Sequence, residues 1–264
     1  MVQLDDWKGL LKDSRVNSAD TNLKIFVERS TRGGSGAFMG VCEVKQRYWI
    51  KPLNNSQGHL VPITEQIVGR VARLIGAATC KVKTVEISED FAGQEFKQGK
   101  QIEAGIAHGS LSVDDIVDVS GLNVYRKNDD NQRRHTTIFA LYDWCWGDDM
   151  QGLCKTTNDY QFFSHDHGHY LRPEGRDWTV ESLRENVDKS HELSQSKESV
   201  TSTDVNEIIK QLESVTRDQL IEVLSYIPRS WPVNDEALET VGWFLEYRIP
   251  GVVQRIKQQF GVLI

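Results

Sequence analysis

Between Leu141 and Leu171 the chain reads LYDWCWGDDMQGLCKTTNDYQFFSHDHGHYL, and few folds accommodate that order of parts. Ile138, Leu141, Tyr142 and Cys145 recur at helical spacing, so a helix over 136–146 leads into the stretch. Gly147 breaks it, and Asp148 and Asp149 follow at once. GLCKT (152–156) and YQFFS (160–164) are two short β-like runs about Thr157, Asn158 and Asp159, a composition that suits a hairpin turn. Asp166 comes just after the second run. A hairpin brings its two ends together, so Asp149 and Asp166 are expected side by side although they stand 17 positions apart. Paired carboxylates at the mouths of adjacent strands suit Mg²⁺ and a phosphate chain, because Mg²⁺ prefers hard oxygen ligands. A solvated acidic turn and a surface loop would carry the same letters, so the rest of the chain has to decide.

The N-terminal part supplies a second constellation. Residues 1–20 form a polar lead-in with a short amphipathic helix around Trp7, Leu10 and Leu11. LKIFVE (23–28) is β-like, STRGGSGAFMG (30–40) is a glycine loop, and two more strands follow, ending in RYWIK at Lys51. Gly33, Gly34, Ser35 and Gly36 allow backbone N–H groups to approach phosphate oxygens without side-chain interference. A plain hairpin or linker would also use GGSG. Lys51 ends an apolar strand before Pro52, where it can turn inward. PITEQIVGRVARLIG (62–76) is an amphipathic helix with Pro62 in its first turn, Gly76 as its stop and Ile67, Val71, Leu74 and Ile75 as its stripe. Glu65 is placed in the first turn, able to pair with Lys51. A strand at 81–87, a strand at 101–107 and a connector, His108-Gly109-Ser110, complete a first part over 1–107. A second part over 108–264 opens with an acidic helix or turn at 113–118.

Composition sets limits on function. A net charge of −7 with no sizeable basic cluster argues against a nucleic-acid backbone binder. No apolar run approaches the ~20 residues of a membrane helix, and the acidic N-terminus lacks a signal-peptide apolar region. Cys42, Cys80, Cys145 and Cys154 are far apart with apolar neighbours, so reduced, buried thiols and a cytoplasmic setting are expected. The C-terminal portion reads as helices at 178–186, 205–215, 217–227, 235–248 and 252–260, with a mobile loop over 188–204.

A glycine loop, strand lysine, helix glutamate, aspartate turn, hairpin and second aspartate are the parts of a kinase in their order. The wording resembles the HipA-like kinases, relatives of phosphoinositide and eukaryotic protein kinases. RYWIKP with PITEQIVGRVARLIGAA, then LYDWCWGDDMQGL with FFSHDHGHYL, then IPRSWPVNDEALETVGWFLEYRIPGVV (227–253) carry the resemblance. It implies an α+β, two-lobed, protein-kinase-like fold: a small antiparallel-sheet N-lobe with one helix, and a larger, mainly helical C-lobe. It also implies an ATP- and Mg²⁺-dependent Ser/Thr protein kinase. On that resemblance Lys51 is the phosphate-binding lysine, Glu65 its partner, and Asp149 the base that orients the acceptor hydroxyl, with Asp148 as the alternative. Asp166 is the main Mg²⁺ ligand, and His167 and Gly168 complete its loop. The family's arginine after the base and its asparagine metal ligand are missing. Met150 follows Asp149, and Gln151 is the nearby amide that could ligate Mg²⁺. That departure supports an alternative, a nucleotide-binding pseudokinase acting as scaffold or regulator. The resemblance further implies a protein substrate, a neutralising partner protein of the toxin–antitoxin kind, and silencing by phosphorylation at Ser35, Thr31 or Ser30. A competing reading makes His165, Asp166, His167 and His169 a zinc site, with the histidines on one strand face.

Overall fold

The first strand, β1 (Thr21–Arg29), buries Thr21 and Leu23 and leaves the intervening residues outside, as alternation requires of a strand with one wet face. The computed structural model describes residues 2–30, 34, 36–122, 124–175, 177–193 and 201–261. β1 pairs with β2 (Phe38–Cys42), which pairs with β3 (Arg47–Lys51), both antiparallel. After α1 (Leu60–Leu74) comes β4 (Val82–Ile87), then a small hairpin of β5 (Glu95–Lys97) and β6 (Lys100–Gln101). β7 (Gly105–Leu111) lies between β3 and β4, and β4 meets β1 in parallel at Thr21–Val85 and Asn22–Glu86, which closes a five-stranded barrel. Its core joins Leu23, Phe38, Tyr48, Ile50 and Val85 to Phe96 and Ile102 of the small hairpin.

β8 (Ile116–Ser120), β9 (Gln151–Lys155) and β10 (Gln161–His165) form a second sheet in the order β10-β9-β8. Between β8 and β9 runs α2 (Asn131–Trp144). Asn131 bolts the β9–β10 hairpin to that helix, since its amide donates to Tyr160 O at 2.8 Å and accepts from Phe162 N–H at 2.9 Å. The remaining helices are α3 (Val180–Asn186), α4 (Ser202–Glu213), α5 (Arg217–Ser225) and α6 (Asp235–Phe260). Thr179, Thr201, Thr216 and Asn234 cap their first turns, each side chain accepting an otherwise orphaned backbone N–H. The whole is a mixed α/β fold with six α-helices among the described residues, none long and apolar enough to cross a membrane.

Several sequence expectations are corrected. Residues 113–118 are not helical, because Ile116–Ser120 pair along β9 from Ile116–Lys155 to Ser120–Gln151. His108, Gly109 and Ser110 form the middle of β7 instead of a connector, so the expected boundary after residue 107 falls inside a barrel strand. The N-terminal lead-in has one 3-10 turn at Leu4–Trp7, with Trp7 and Leu11 buried but Leu10 outside. Helix α1 starts at Leu60, which moves Glu65 into the second turn. Its apolar stripe understates its burial, since Val61 to Ala72 are all buried between the barrel and the other helices. The helices expected at 235–248 and 252–260 are one, α6, running through Pro250. A proline inside a helix costs about 3 kcal/mol or more. Here Leu245, Arg248 and Ile249 before it and Val252, Val253 and Ile256 after it are buried, so packing on both sides outweighs the lost hydrogen bond. Of the loop expected at 188–204, residues 194–200 lie outside the described residues, as do Thr31, Gly33 and Ser35 of the glycine loop.

Candidate active site

Lys51 and His108 are cross-strand partners at the inner end of the barrel, on β3 and β7. Both point at α1, where Glu65 occupies the buried face. The Lys51 ammonium donates to Glu65 Oε1 and, at 2.6 Å, to Asp166 Oδ1. Burial opposes the charge on Lys51, but the two carboxylates outweigh it and hold its pKa above the ordinary lysine value. Burial also pulls Glu65 toward its neutral form, and Lys51 with His108 overcomes this, keeping the carboxyl well below the usual range. A buried ion pair of this kind is costly to assemble and is not placed for stability alone.

Asp166 reaches Lys51 because the hairpin is anchored to the barrel side. Ser164 N–H donates to Ala78 O at 2.8 Å and Cys80 N–H to Ser164 O at 3.0 Å, which joins β10 to the approach of β4. At the end of β10, Asp166 turns left-handed at φ 57°. His167 then folds inward, its Nε2 2.8 Å from Ser164 Oγ, and burial pushes its pKa down to about 3, so the ring is neutral. Gly168 is required by space: a Cβ there would lie 2.4 Å from Val61 Cγ1 and 3.0 Å from Glu65 Oε1. The strand therefore ends at His165, and the histidines expected on one face diverge. His169 instead meets Gln57 and Arg172. Among the described residues no three His, Cys, Asp or Glu side chains are grouped to hold a metal, which removes the zinc reading there.

The register Gln151–His165 puts Asp149 and Asp166 at the same open end of the hairpin. Both line a cleft of about 780 Å³ with Lys51, Gln151, Leu111 and Met150. Asp149 has φ 48°, and its Oδ2 accepts from Gln151 Nε2 at 2.8 Å. The Asp148 carboxylate folds back onto Asp149 N–H at 2.9 Å and does not line the cleft. Ser30 and Ala37, joined by a 2.8 Å backbone hydrogen bond, carry the two ends of the glycine loop to the cleft wall. Gly34, in the loop, accepts at its carbonyl from Lys97 of β5, and the Lys97 side chain packs where a Cβ on Gly36 would stand.

Sequence reading missed what fixes the acidic turn. Asp143, fully buried at the end of α2, is gripped by Arg255 at 2.7 and 2.9 Å and by Arg248 at 3.0 Å. Arg248 also donates to the carbonyls of Asp143, Trp144, Val187 and Lys189. His191 is stacked between Tyr142 and Trp146 and meets Gly147 O at 2.5 Å, immediately before Asp148. These contacts span 44 to 112 residues, and the one local hint was an arginine on an otherwise apolar helix face.

A barrel-strand lysine paired to a helix glutamate, facing two aspartates at the mouth of a hairpin, is an arrangement of parts that kinases share. The family model of the HipA-like kinases matches residues 23–260, and the chain belongs to that family. Its fold is similar to that of the Helicobacter pylori proinflammatory kinase CtkA, with a TM-score of 0.56 at 9% identity over 94% of this chain and 98% of that one. Golgi casein kinase structures, one with Mn/ADP bound, superpose with TM-scores of 0.47 and 0.48 at 12% and 11% identity, over 99% of this chain and 78% of theirs. A comparison with curated protein sequences finds no match.

Proposed function

We propose that the chain transfers the γ-phosphoryl group of ATP to a Ser or Thr hydroxyl of a protein, with Mg²⁺ as cofactor. The observation that carries this is the buried Lys51 ammonium, shared by Glu65 and Asp166 at the base of a cleft that Asp149 also lines. The cleft volume falls within the ~300–1,000 Å³ of small-molecule sites. Its donors are carboxylate and amide oxygens beside one ammonium, a set that suits Mg²⁺ and a phosphate chain. Lys51 would bind phosphate oxygens, with Glu65 holding it in place. Asp166 and the Gln151 carbonyl oxygen would ligate Mg²⁺, and backbone N–H groups of Gly33, Gly34, Ser35 and Gly36 would cover the phosphates. Bound ATP–Mg²⁺ supplies the transferable group and screens its charge. Asp149 would accept the hydrogen bond of the incoming hydroxyl and take its proton. The chain's contribution is thus positioning and electrostatics. On this reading the barrel and the helical portion are the two lobes about the cleft, in a cytoplasmic protein with a neutralising protein partner. Phosphorylation of Ser35, Thr31 or Ser30 would silence it by placing negative charge where nucleotide phosphates go.

ATP with Mg²⁺ should raise the Tm, because it binds only the native state. Lys51→Ala and Asp166→Ala should abolish that rise, and Asp149→Ala should keep the rise while losing phosphoryl transfer. An undiminished rise in both of the first two variants would refute the site. A second reading follows from Met150 and Gln151 standing where the family carries arginine and asparagine: a pseudokinase that binds nucleotide without turnover. Wild type that binds ATP yet labels neither itself nor any lysate protein with radioactive γ-phosphate would decide for it.

A further inference from the structure

Behind the Lys51–Glu65 pair lies a chain of polar side chains with almost no access to water. Gln66 and His108 are wholly buried and Arg70 nearly so. Three polar groups at such depth are costly unless each is paired, and apolar residues of the same size would fill the space more cheaply. Their pairing has only one sense. Arg70 is an obligatory donor, so its Nε, 3.1 Å from Gln66 Oε1, fixes which end of that amide is oxygen. The Gln66 nitrogen then faces Lys83 O at 2.7 Å, an obligatory acceptor, and His108 Nδ1 at 3.0 Å. His108 Nδ1 must accept, which puts the ring proton on Nε2. That nitrogen lies 2.8 Å from Glu65 Oε2, at an angle too oblique for a straight hydrogen bond, so the contact acts through charge and dipole.

We propose that His108 and Gln66 are positioning residues, which hold the outer carboxylate oxygen of Glu65 so that the inner one stays on Lys51 and keeps that ammonium aimed into the cleft. Gln66 ties α1 to β4 through Lys83 O, and His108 ties it to β7, so Glu65 cannot swing away from the barrel without breaking both. The lysine–glutamate pair is thus locked together in the resting protein. Arg70 extends the chain outward to Asp20 at 2.5 Å and lies over the Tyr226 ring at 4.3 Å. The functional weight of this lock rests on the proposed role of Lys51 in phosphate binding, but the lock itself can be tested without it.

The test is a brief acetic anhydride pulse on the folded protein at pH 9, with Lys51 acetylation read by mass spectrometry against the exposed Lys24 as internal control. Only the unprotonated amine reacts, so a carboxylate-bound Lys51 labels slowly. His108→Leu should free Glu65 to turn away, uncover the amine and speed Lys51 labelling about tenfold, the factor that about 1.4 kcal/mol gives. His108→Gln restores an N–H where Nε2 stood and should label slowly like wild type. Gln66→Met, which removes the amide at equal bulk, should label fast and serves if His108→Leu fails to fold. In a Glu65→Gln background, where the ion pair is already lost, His108→Leu should add nothing. Wild-type rates for both His108→Leu and Gln66→Met would overturn the proposal. So would equal acceleration in the Glu65→Gln background, or fast labelling of His108→Gln, since either outcome would mean general loosening. A wild type without phosphoryl transfer refutes the kinase reading and leaves the labelling result standing.

Discussion

Side chains in and behind the cleft depend on neighbours from other elements, and the consequences can be measured. His135 of α2 is buried edge-on to Phe162 at 4.7 Å, and neither of its ring nitrogens has a hydrogen-bond partner. Burial, reinforced by Arg126 and Arg134, pushes its pKa down to about 4. A base depressed by folding binds more protons in the unfolded chain, so its stabilising effect is intact above its ordinary value of 6.5 and fades as pH falls from there toward 4. The full loss is on the order of 3 kcal/mol. Urea midpoints measured between pH 7 and pH 4 should therefore decline less steeply in His135→Leu than in wild type. Gly168→Ala belongs to the same scale. The new Cβ strikes Val61 and crowds Glu65, so it should cost about 1–3 kcal/mol and weaken any ATP-induced rise in Tm. Lys51, Glu65 and Asp166 were legible in the sequence because each sits at a marked place: a strand end, a helix face, the exit of a hairpin. His108 and Gln66 were not, because a histidine between alanine and glycine carries no local sign of a carboxylate that another element brings to it.

Among the elements, those with strong periodicity were readable and those defined by their partners were not. The β9–β10 hairpin follows from its two β-runs and turn residues, and β1 to β3 from theirs. β8 (sequence IVDVS) carries β-branched Ile116, Val117 and Val119, but Asp114, Asp115 and Asp118 around them masked that signal, and its pairing with β9 is what decides it. The same holds for α6, where helix propensity argues for a break at Pro250 and tertiary packing overrules it. Arg248 on that helix is nine-tenths out of water or more, and burial pulls its pKa down to about 10 against the opposing pull of Asp143. Arg248→Met should destabilise by about 3 kcal/mol, because it strips the carbonyls of Asp143, Val187 and Lys189 of their donor and leaves Asp143 with Arg255 alone. Asp143→Leu combined with it should recover part of that loss, as a double-mutant cycle by urea denaturation would show.

At the scale of the whole molecule, the barrel, α1 and the N-terminal lead-in are each tied to the C-terminal part of the chain. Trp231 Nε1 donates to Ile106 O at 2.9 Å, and Trp178 Nε1 donates to Thr64 Oγ1 at 3.0 Å. Arg15 gathers the carbonyls of Ile227, Pro228 and Val233 with Asp235. The barrel and the helices have separate cores, but α1 is buried between them and packs on β4 and β7 as well as on α5, so unfolding should be a single transition. Tryptophan fluorescence and far-UV circular dichroism should give coincident urea curves, and two separated transitions would contradict this. The order of parts along the chain was legible because kinase elements come in a fixed sequence. The parallel closure of β1 on β4 was not, since it joins residues some sixty positions apart through two residue pairs.

The grip of Arg248 and Arg255 on Asp143 also sets a clock. Asp143, at the base of the acidic turn, is synthesised more than a hundred residues before the arginines that hold it. Until both have left the ribosome and α6 has folded back, Asp143 lacks the two guanidinium groups that hold it, and the turn has only His191 at Gly147 to steady it. A chain cut short before Arg248 should therefore lose the grip on Asp143, and the acidic turn gains its full set of supports only once α6 has been made.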